Sequence, residues 1–217
     1  MPAPLSIIIP ALNAASDLPL CLESLMAGLE AGLIREVIVA DSGSEDATRA
    51  IAGSAGANLV EAGPSSATRR RAGADAARGE WLLFLHPDAV LSRDWPERAA
   101  AHMAMRPGMA AAFRLKYRSD ARAARVAEAR ANRRARWLGL PMGDQGLLIS
   151  RALYDEAGGY PDIAAMEDAE LARRIGKARL VMLDAEARVS AARHEQAGWG
   201  RIAAQERAAL IRFLMRR

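Results

Sequence analysis

Short apolar runs alternate along this chain with stretches in which apolar residues recur every three or four positions. Leu5 to Ile9 is a run of buried-strand length, and Pro10 is expected to end it. Asp17 to Ala31 puts Leu18, Leu22, Leu25, Met26 and Leu29 on one face and predicts a helix. Ser16 or Asp17 can cap it, and Pro19 is tolerated in its first turn. Glu36 to Ala40 predicts a second strand, Asp46 to Ser54 a short helix and Asn58 to Glu61 a weak third strand. Ser65 to Arg78 predicts a helix carrying Arg69-Arg70-Arg71. The run Trp81 to Leu85 then reads as a buried strand that stops at His86-Pro87-Asp88.

Strand and helix thus alternate through the first half, the pattern of a parallel sheet with helices on its faces. Right-handed crossovers bring the carboxyl ends of such strands to one edge, where open α/β sheets bind ligands. Three of these ends carry polar groups: Pro10-Ala11-Leu12-Asn13, Asp41-Ser42-Gly43-Ser44 and His86-Pro87-Asp88. Polar groups at three successive ends point to a site.

The second half is less regular. Trp95 to Met105 predicts a helix and Ala110 to Tyr117 an extended segment. Positions 114 to 136 hold nine basic residues and only two acids, and much of the stretch is helical by composition. Leu147 to Ile149 reads as a strand, Ala152 to Ala157 as a short helix and Gly158 to Pro161 as a turn. Met166-Glu167-Asp168 opens a helix running to about Arg174, and Arg179 to Leu183 is the last expected strand. The tail from Gly200 to Arg217 has the pattern of a basic amphipathic helix. There is no internal repeat.

Composition narrows the picture. With 217 residues, 51% hydrophobic and 26% charged, the chain has the profile of one globular domain. The net charge is +4, and Lys116 and Lys177 are the only lysines. Arginine suits bidentate phosphate and carboxylate binding, although a coding bias toward Ala and Arg would give the same excess. Cys21 stands alone, which excludes an intrachain disulfide and a cysteine zinc site. The start lacks the basic flank of a secretory signal, and Leu5 to Ile9 is too short to span a bilayer, so a cytoplasmic location is expected.

Asp88 stands where a metal ion or phosphate would meet a strand end; a turn Asp would occupy the same place. His86 is a second ligand, a hydrogen-bonding partner of a ribose or a carboxylate, or a rim histidine with no special role. Asp41 precedes Ser42-Gly43-Ser44, whose backbone N–H groups are expected to be free for anions or base edges; the competing reading is a capping turn. Asp46 reads as a cap. Glu167-Asp168 at a helix start offers a general base, or merely favours the helix dipole. No P-loop and no dinucleotide fingerprint is present. Aromatic residues within the basic run are limited to Tyr117 and Trp137, so no nucleic-acid partner is expected.

Taken together these residues resemble the inverting family 2 glycosyltransferases, which have the GT-A fold, a Rossmann-like, mostly parallel central sheet flanked by helices. Ser6 to Asn13 is similar to the family's opening strand and nucleotide-contacting turn. Glu36 to Thr48 matches its second motif, which implies a base contact for Asp41 and donor contacts for Pro10, Ala11, Asn13, Ser42, Gly43 and Ser44. Arg70 and Gly73 match an Arg-Asn-x-Gly pattern, with Arg71 in place of the Asn, which implies a nucleotide-sugar contact for Arg70. Leu83 to Asp88 falls on the Asp-x-Asp motif, implying a metal ligand at Asp88, with His86 replacing the first acid and facing the nucleotide sugar. Met166 to Leu171 resembles the motif whose Asp is the catalytic base, implying that role for Asp168 with Glu167 in support. His-x-Asp together with Gly139-Leu140-Pro141-Met142-Gly143-Asp144-Gln145-Gly146 resembles a small bacterial subgroup and puts Asp144 and Gln145 on the acceptor side. Ser190 to Gly198 loosely matches a late segment that implies diphosphate contacts at Arg193 and His194, with Ala192 where an Arg is expected.

The resemblance implies a single domain over residues 1–217, with a nucleotide-binding half at 1–90, an acceptor and catalytic half at 91–199 and the basic helix at 200–217. It implies Mg²⁺ or Mn²⁺ as cofactor, a UDP- or GDP-sugar donor and a hydroxyl acceptor. The basic tail also suits peripheral contact with an anionic membrane face. The competing expectation is a degenerate nucleotide-binding protein without turnover, motivated by His86 and Arg71.

Overall fold

The computed structural model describes residues 3–163 and 165–215. The strands are β1 (Leu5–Ala11), β2 (Ile34–Asp41), β3 (Asn58–Glu61), β4 (Trp81–Phe84), β5 (Val90–Leu91), β6 (Ala110–Tyr117), β7 (Leu147–Ser150) and β8 (Leu180–Val189). The helices are α1 (Leu18–Ser24), α2 (Met26–Glu30), α3 (Thr48–Ser54), α4 (Ser66–Ala76), α5 (Trp95–Met105) and α6 (Arg122–Leu138). They continue with α7 (Arg151–Glu156), α8 (Glu167–Ile175), α9 (Ala192–Ala197) and α10 (Trp199–Met215). All eight strands join one sheet in the order β3-β2-β1-β4-β7-β6-β8-β5.

The first four strands are parallel, as the strand–helix alternation requires. β7 then runs antiparallel to both β4 and β6, so the second half is mixed. β1 is buried along its whole length, with α4 packed on one face. The helix sits close because Gly73 faces Ile8 and Ala40, where a side chain would strike the Ile8 methyl.

Several boundaries differ from the sequence reading, and β5 and α9 were not expected; three differences have a local reason. Pro10 lies inside β1, paired with Ala40. Ile8 bonds toward β4 through its carbonyl to the Leu85 N–H at 2.9 Å, so Pro10, two residues on, turns its missing N–H to that same side. The β1–β4 pairing has stopped by then, and no ladder bond is lost. The single helix expected from Asp17 to Ala31 is two, broken at Leu25. There Ser24 Oγ bonds back to the Cys21 carbonyl at 2.7 Å, and Trp95 Nε1 donates to the Ser24 carbonyl at 3.1 Å, removing it from the helical ladder. β8 runs to Val189 instead of Leu183, burying Leu183, Ala185, Ala187 and Val189 against outward Asp184, Glu186 and Arg188. The Ala-rich alternation hid a strand that β6 and β5 hold from either side. The tail helix begins at Trp199, and its last two expected residues lie outside the described range.

Residues 114–136 divide between β6 and α6. Buried Glu128 of α6 accepts the Tyr117 N–H at 2.8 Å, and Asn132 accepts the Leu115 N–H at 2.8 Å and donates to its carbonyl at 3.1 Å. These side chains stand in for a neighbouring strand and fix α6 along the open end of β6.

Candidate active site

The carboxyl ends of β1 and β2 are stitched together. Ser44, Asp46 and Thr48 each take one backbone N–H from the turn after β1: Asn13 to Ser44 Oγ at 2.8 Å, Ala15 to Asp46 Oδ2 at 3.0 Å and Ala14 to Thr48 Oγ1 at 2.8 Å. Asn13, at φ 50°, returns its Oδ1 to the Glu45 N–H at 2.9 Å. Asp46 also accepts the Thr48 N–H at 2.9 Å, but it stands one position before the α3 N-cap Ala47, so the capping role expected of it is corrected. The alternate residues of Ser44-Glu45-Asp46-Ala47-Thr48 thus form a comb that holds a loop about thirty positions away.

Asp41 is buried beneath this comb. Its Oδ2 accepts the Gly43 and Ser44 N–H groups at 3.0 Å each, and Ser44 Oγ donates to Oδ1. The expectation that these N–H groups are free for a ligand is therefore corrected, because the carboxylate at the strand end is their nearest acceptor. Ser44 is likewise engaged inside the turn. Ser42 accepts from Arg69 Nη1 at 2.7 Å, while Arg69 Nε is buried with no partner among the described residues. Burial holds the Arg69 guanidinium below its usual pKa, with Arg70 adding to the effect.

At the β4 end His86 Nδ1 lies 2.5 Å from Asp88 Oδ1, and Asp88 Oδ2 accepts the Ser190 N–H at 3.3 Å. Burial works against a charge on His86, but the bond and charge of Asp88 outweigh it and raise the imidazole above its ordinary value. Among the described residues no third His, Cys, Asp or Glu joins them as a metal cluster. One carboxylate and one imidazole suit an ion that completes its shell from a diphosphate and water, as Mg²⁺ and Mn²⁺ do, better than an ion needing a closed protein cage.

Across a narrow cleft from His86 stand Arg70, Tyr160 and Asp168, with the cleft wall completed by Met142 and Gly143. Arg70 is 5% exposed. Its Nη1 donates to Glu167 Oε1 at 2.8 Å, its Nη2 lies 3.7 Å from Asp168 Oδ2, and its guanidinium sits 5.1 Å above the Tyr160 ring. Burial opposes that charge, but Asp168, Tyr160 and Glu167 together hold Arg70 protonated. Asp168 Oδ1 accepts the Tyr160 hydroxyl at 3.1 Å and Oδ2 accepts the Gly143 N–H at 3.1 Å. Burial first, with the Glu167 charge adding to it, pushes the Asp168 carboxyl above the usual range, against the pull of Arg70. Met166, just before the pair, takes a left-handed backbone at φ 66°. Such positions cluster at functional sites.

The sequence profile of Glycosyl transferase family 2 matches residues 6–160, well over half of the chain. The chain belongs to this family. A PGL/p-HBAD biosynthesis glycosyltransferase of Mycobacterium bovis is 41% identical over 112 residues, covering 46% of this chain and 42% of the relative. The corresponding Mycobacterium tuberculosis protein matches equally. The matched stretch spans less than half the length of these curated relatives. Among solved structures, glucosyl-3-phosphoglycerate synthase of Mycobacterium tuberculosis, in complex with Mn²⁺, UDP-glucose and phosphoglyceric acid, superposes with a TM-score of 0.60 at 22% identity, over 86% of this chain and 70% of that one. S. aureus TarS gives 0.62 at 17% identity, over 86% and 58%. These likenesses carry the fold, GT-A.

This family 2 chain brings most of its sequence-expected residues to one edge of the sheet: Asp41, Ser42, His86, Asp88, Arg70, Glu167 and Asp168 all sit at or beside strand ends. Asp144 lies on the 3₁₀ turn Gly143–Gln145, next to the Asp168 partner Gly143. Gln145 is fully buried, its Nε2 donating to the Phe113 carbonyl and to Asn132 Oδ1 at 3.3 Å each; it braces the turn from within. Arg193 is exposed on α9, whereas His194 is enclosed, its Nε2 3.3 Å from the Tyr117 hydroxyl. Sequence reasoning missed Tyr160 and the N–H groups of Gly143 and Ser190. Tyr160 sat inside a Gly-Gly-Tyr-Pro turn that explained itself, and backbone donors leave no residue-type signal.

Proposed function

We propose that this protein is a metal-dependent inverting glycosyltransferase acting on a UDP-sugar and a hydroxyl acceptor. The observation that carries the reading is the cleft itself, with His86, bonded to Asp88, facing an Arg70-anchored Asp168. Pro10, Ala11, Asn13, Asp41, Ser42 and Gly43 form the nucleotide platform, Ser44 keying it from below. Asp41 already accepts three hydrogen bonds, and a carboxylate offers about four lone-pair sites. One free site matches the single imide N–H of uracil better than the adjacent N–H groups of guanine. The UDP-glucose and Mn²⁺ held by the mycobacterial synthase support the same choice.

Asp88 and His86 are the residues that would hold Mn²⁺ or Mg²⁺, and the ion supplies positive charge to a leaving diphosphate when bound. Arg193, exposed on α9, is the residue assigned to the diphosphate. Asp168 takes the proton of the acceptor hydroxyl as its oxygen bonds to the anomeric carbon and the bond to the diphosphate breaks. Tyr160, Gly143 and Arg70 hold the carboxylate in place. Asp144 lines the acceptor side. UDP-glucose turnover with Mn²⁺, in the wild type and in Asp88→Ala and Asp168→Asn, tests the assignment; undiminished turnover in both variants overturns it.

A second reading has an observation of its own. Both oxygens of Asp88 and both of Asp168 already have protein partners, which favours a nucleotide-binding protein without turnover. Metal-independent UDP binding by calorimetry, with no turnover on any donor, would select it. For either reading we place the protein in the cytoplasm, in peripheral contact with an anionic membrane face. Trp137 and Leu138 at the end of α6, and Ile211, Leu214 and Met215 at the end of α10, are exposed. Leu210 and Phe213 of α10 pack on the cluster that includes Leu140, just past the end of α6, and arginines neighbour both exposed groups in sequence. Among the described residues no helix is long and apolar enough to cross a membrane.

A further inference from the structure

Behind the cleft, on the far side of Met142, lies a cavity of about 160 Å³ between α6 and α10. Its walls follow helical spacing. From α10 come Trp199, Ala203, Glu206 and Leu210; from α6 come Ala127, Arg130, Ala131 and Arg134. Each set lies on one helix face, so the two helices look at each other across the space. The room exists because alanines stand where the helices would otherwise interdigitate. Asp144, Tyr117 and His194 close the inner end.

The polar groups of this cavity are not all satisfied by the protein. His194 is 7% exposed, stacked 4.7 Å from Trp199, and its Nδ1 is buried with no hydrogen-bond partner among the described residues. Arg134 spends Nε on the Leu140 carbonyl at 3.0 Å, and among the described residues its guanidinium has no carboxylate within 4.0 Å. The His194 Nδ1 is closed off from the cavity, so the polar groups offered to a ligand are those of Arg134, Asp144 and Glu206. A space of about 150 Å³ accepts one six-membered ring. Carboxylates at Asp144 and Glu206 can only accept hydrogen bonds, while Arg134 can only donate. An anion would face two carboxylates, and a cation would face Arg134 and Arg130. A neutral ring edged with several hydroxyls can donate to the acids and accept from Arg134, with Trp199, Met142, Leu210 and the His194 ring as its apolar walls. A phenol has one hydroxyl and would leave most of these groups unpaired.

From this we infer that the cavity between α6 and α10 is a binding site for a single polyhydroxylated ring, a pyranose, which presents the acceptor hydroxyl toward Asp168. The inference rests on the glycosyltransferase reading for its catalytic meaning, but the ring site is a binding claim in its own right. It gives α10 the role of roof and selector, and it takes His194 away from the diphosphate.

The test uses the full chain and saturation-transfer NMR with methyl α- and β-glucoside, galactoside, mannoside and rhamnoside, with phenol alongside. At least one pyranoside is expected to receive saturation, and Ala203→Leu, which fills the roof, should weaken that binding at least tenfold. Thermal shift by UDP with Mn²⁺ is read in parallel and should be unchanged in Ala203→Leu. His194→Ala should weaken ring binding in the same direction by a milder change. Ring binding unaffected by both variants, binding of phenol alone, or no binding while UDP still raises the melting temperature would overturn the inference. Ring binding lost in Ala203→Leu with no UDP effect in either protein would uphold the ring site and remove the donor reading instead.

Discussion

Arg70 and Asp168 make opposite demands at one spot, and each is met by the other. Removing the cation leaves two part-buried carboxylates unpaired, so Arg70→Ala should cost about 3–5 kcal/mol in denaturant unfolding. Loss below about 1 kcal/mol would mean the pair is not structural. Asp168→Asn should lower kcat by about 10²–10⁴ while leaving UDP affinity within twofold by calorimetry. A base acts only when ionised. Because burial raises the Asp168 carboxyl, the wild-type rate should fall as pH drops through a value above the ordinary aspartate range. Stability runs the other way: a carboxyl whose pKa is raised by folding contributes stability at low pH and loses it as pH rises through the folded value. An acidic limb at or below about pH 4, near the unperturbed value, would contradict the assignment. Gly143 shows how tight the spot is. A Cβ there would strike Arg70 Nη2 and lie 3.1 Å from Asp168 Oδ2, so Gly143→Ala should cut kcat by about 10²-fold through misplacement of the base. Unchanged kcat would show that the carboxylate has room to spare.

At the scale of elements, the helix that carries Arg69 and Arg70 is placed by a glycine. Gly73→Ala would push α4 off Ile8, and the overpacking should cost about 1–3 kcal/mol, read from the shift in denaturant midpoint. An unchanged midpoint would mean that α4 shifts without cost. The parallel half of the sheet was legible because β-branched runs and turn residues have distinct periods. Asn58–Glu61 and Trp95–Met105 match the sequence reading residue for residue. The antiparallel insertion of β7 was not legible, since pairing partners are chosen by packing and not by local propensity. β8 was read short because Ala-Glu-Ala-Arg has no apolar contrast, although its alternation was present. For the site, residue type found Asp41, Asp88 and Asp168, while their partners Gly143 and Ser190, acting through backbone N–H, carried no such mark.

Across the whole molecule, α6 and α10 each end in exposed apolar residues beside arginines, and we propose that these ends suit an anionic surface. Flotation with vesicles containing phosphatidylglycerol should carry the protein up, neutral phosphatidylcholine should not, and Leu214→Asp should reduce the bound fraction severalfold. Equal flotation with both lipids, or none with either, ends the membrane reading. The comb of Ser44, Asp46 and Thr48 has a consequence of another kind. It fixes the amides of Asn13, Ala14 and Ala15 before any ligand arrives. A surface loop ordinarily exchanges its amide hydrogens almost freely, whereas Ala14, whose bond to Thr48 is buried, should exchange more slowly than its exposed neighbours Asn13 and Ala15. The inner tooth of the comb should therefore keep its hydrogen whether or not a donor is bound, while the outer two should slow when one binds.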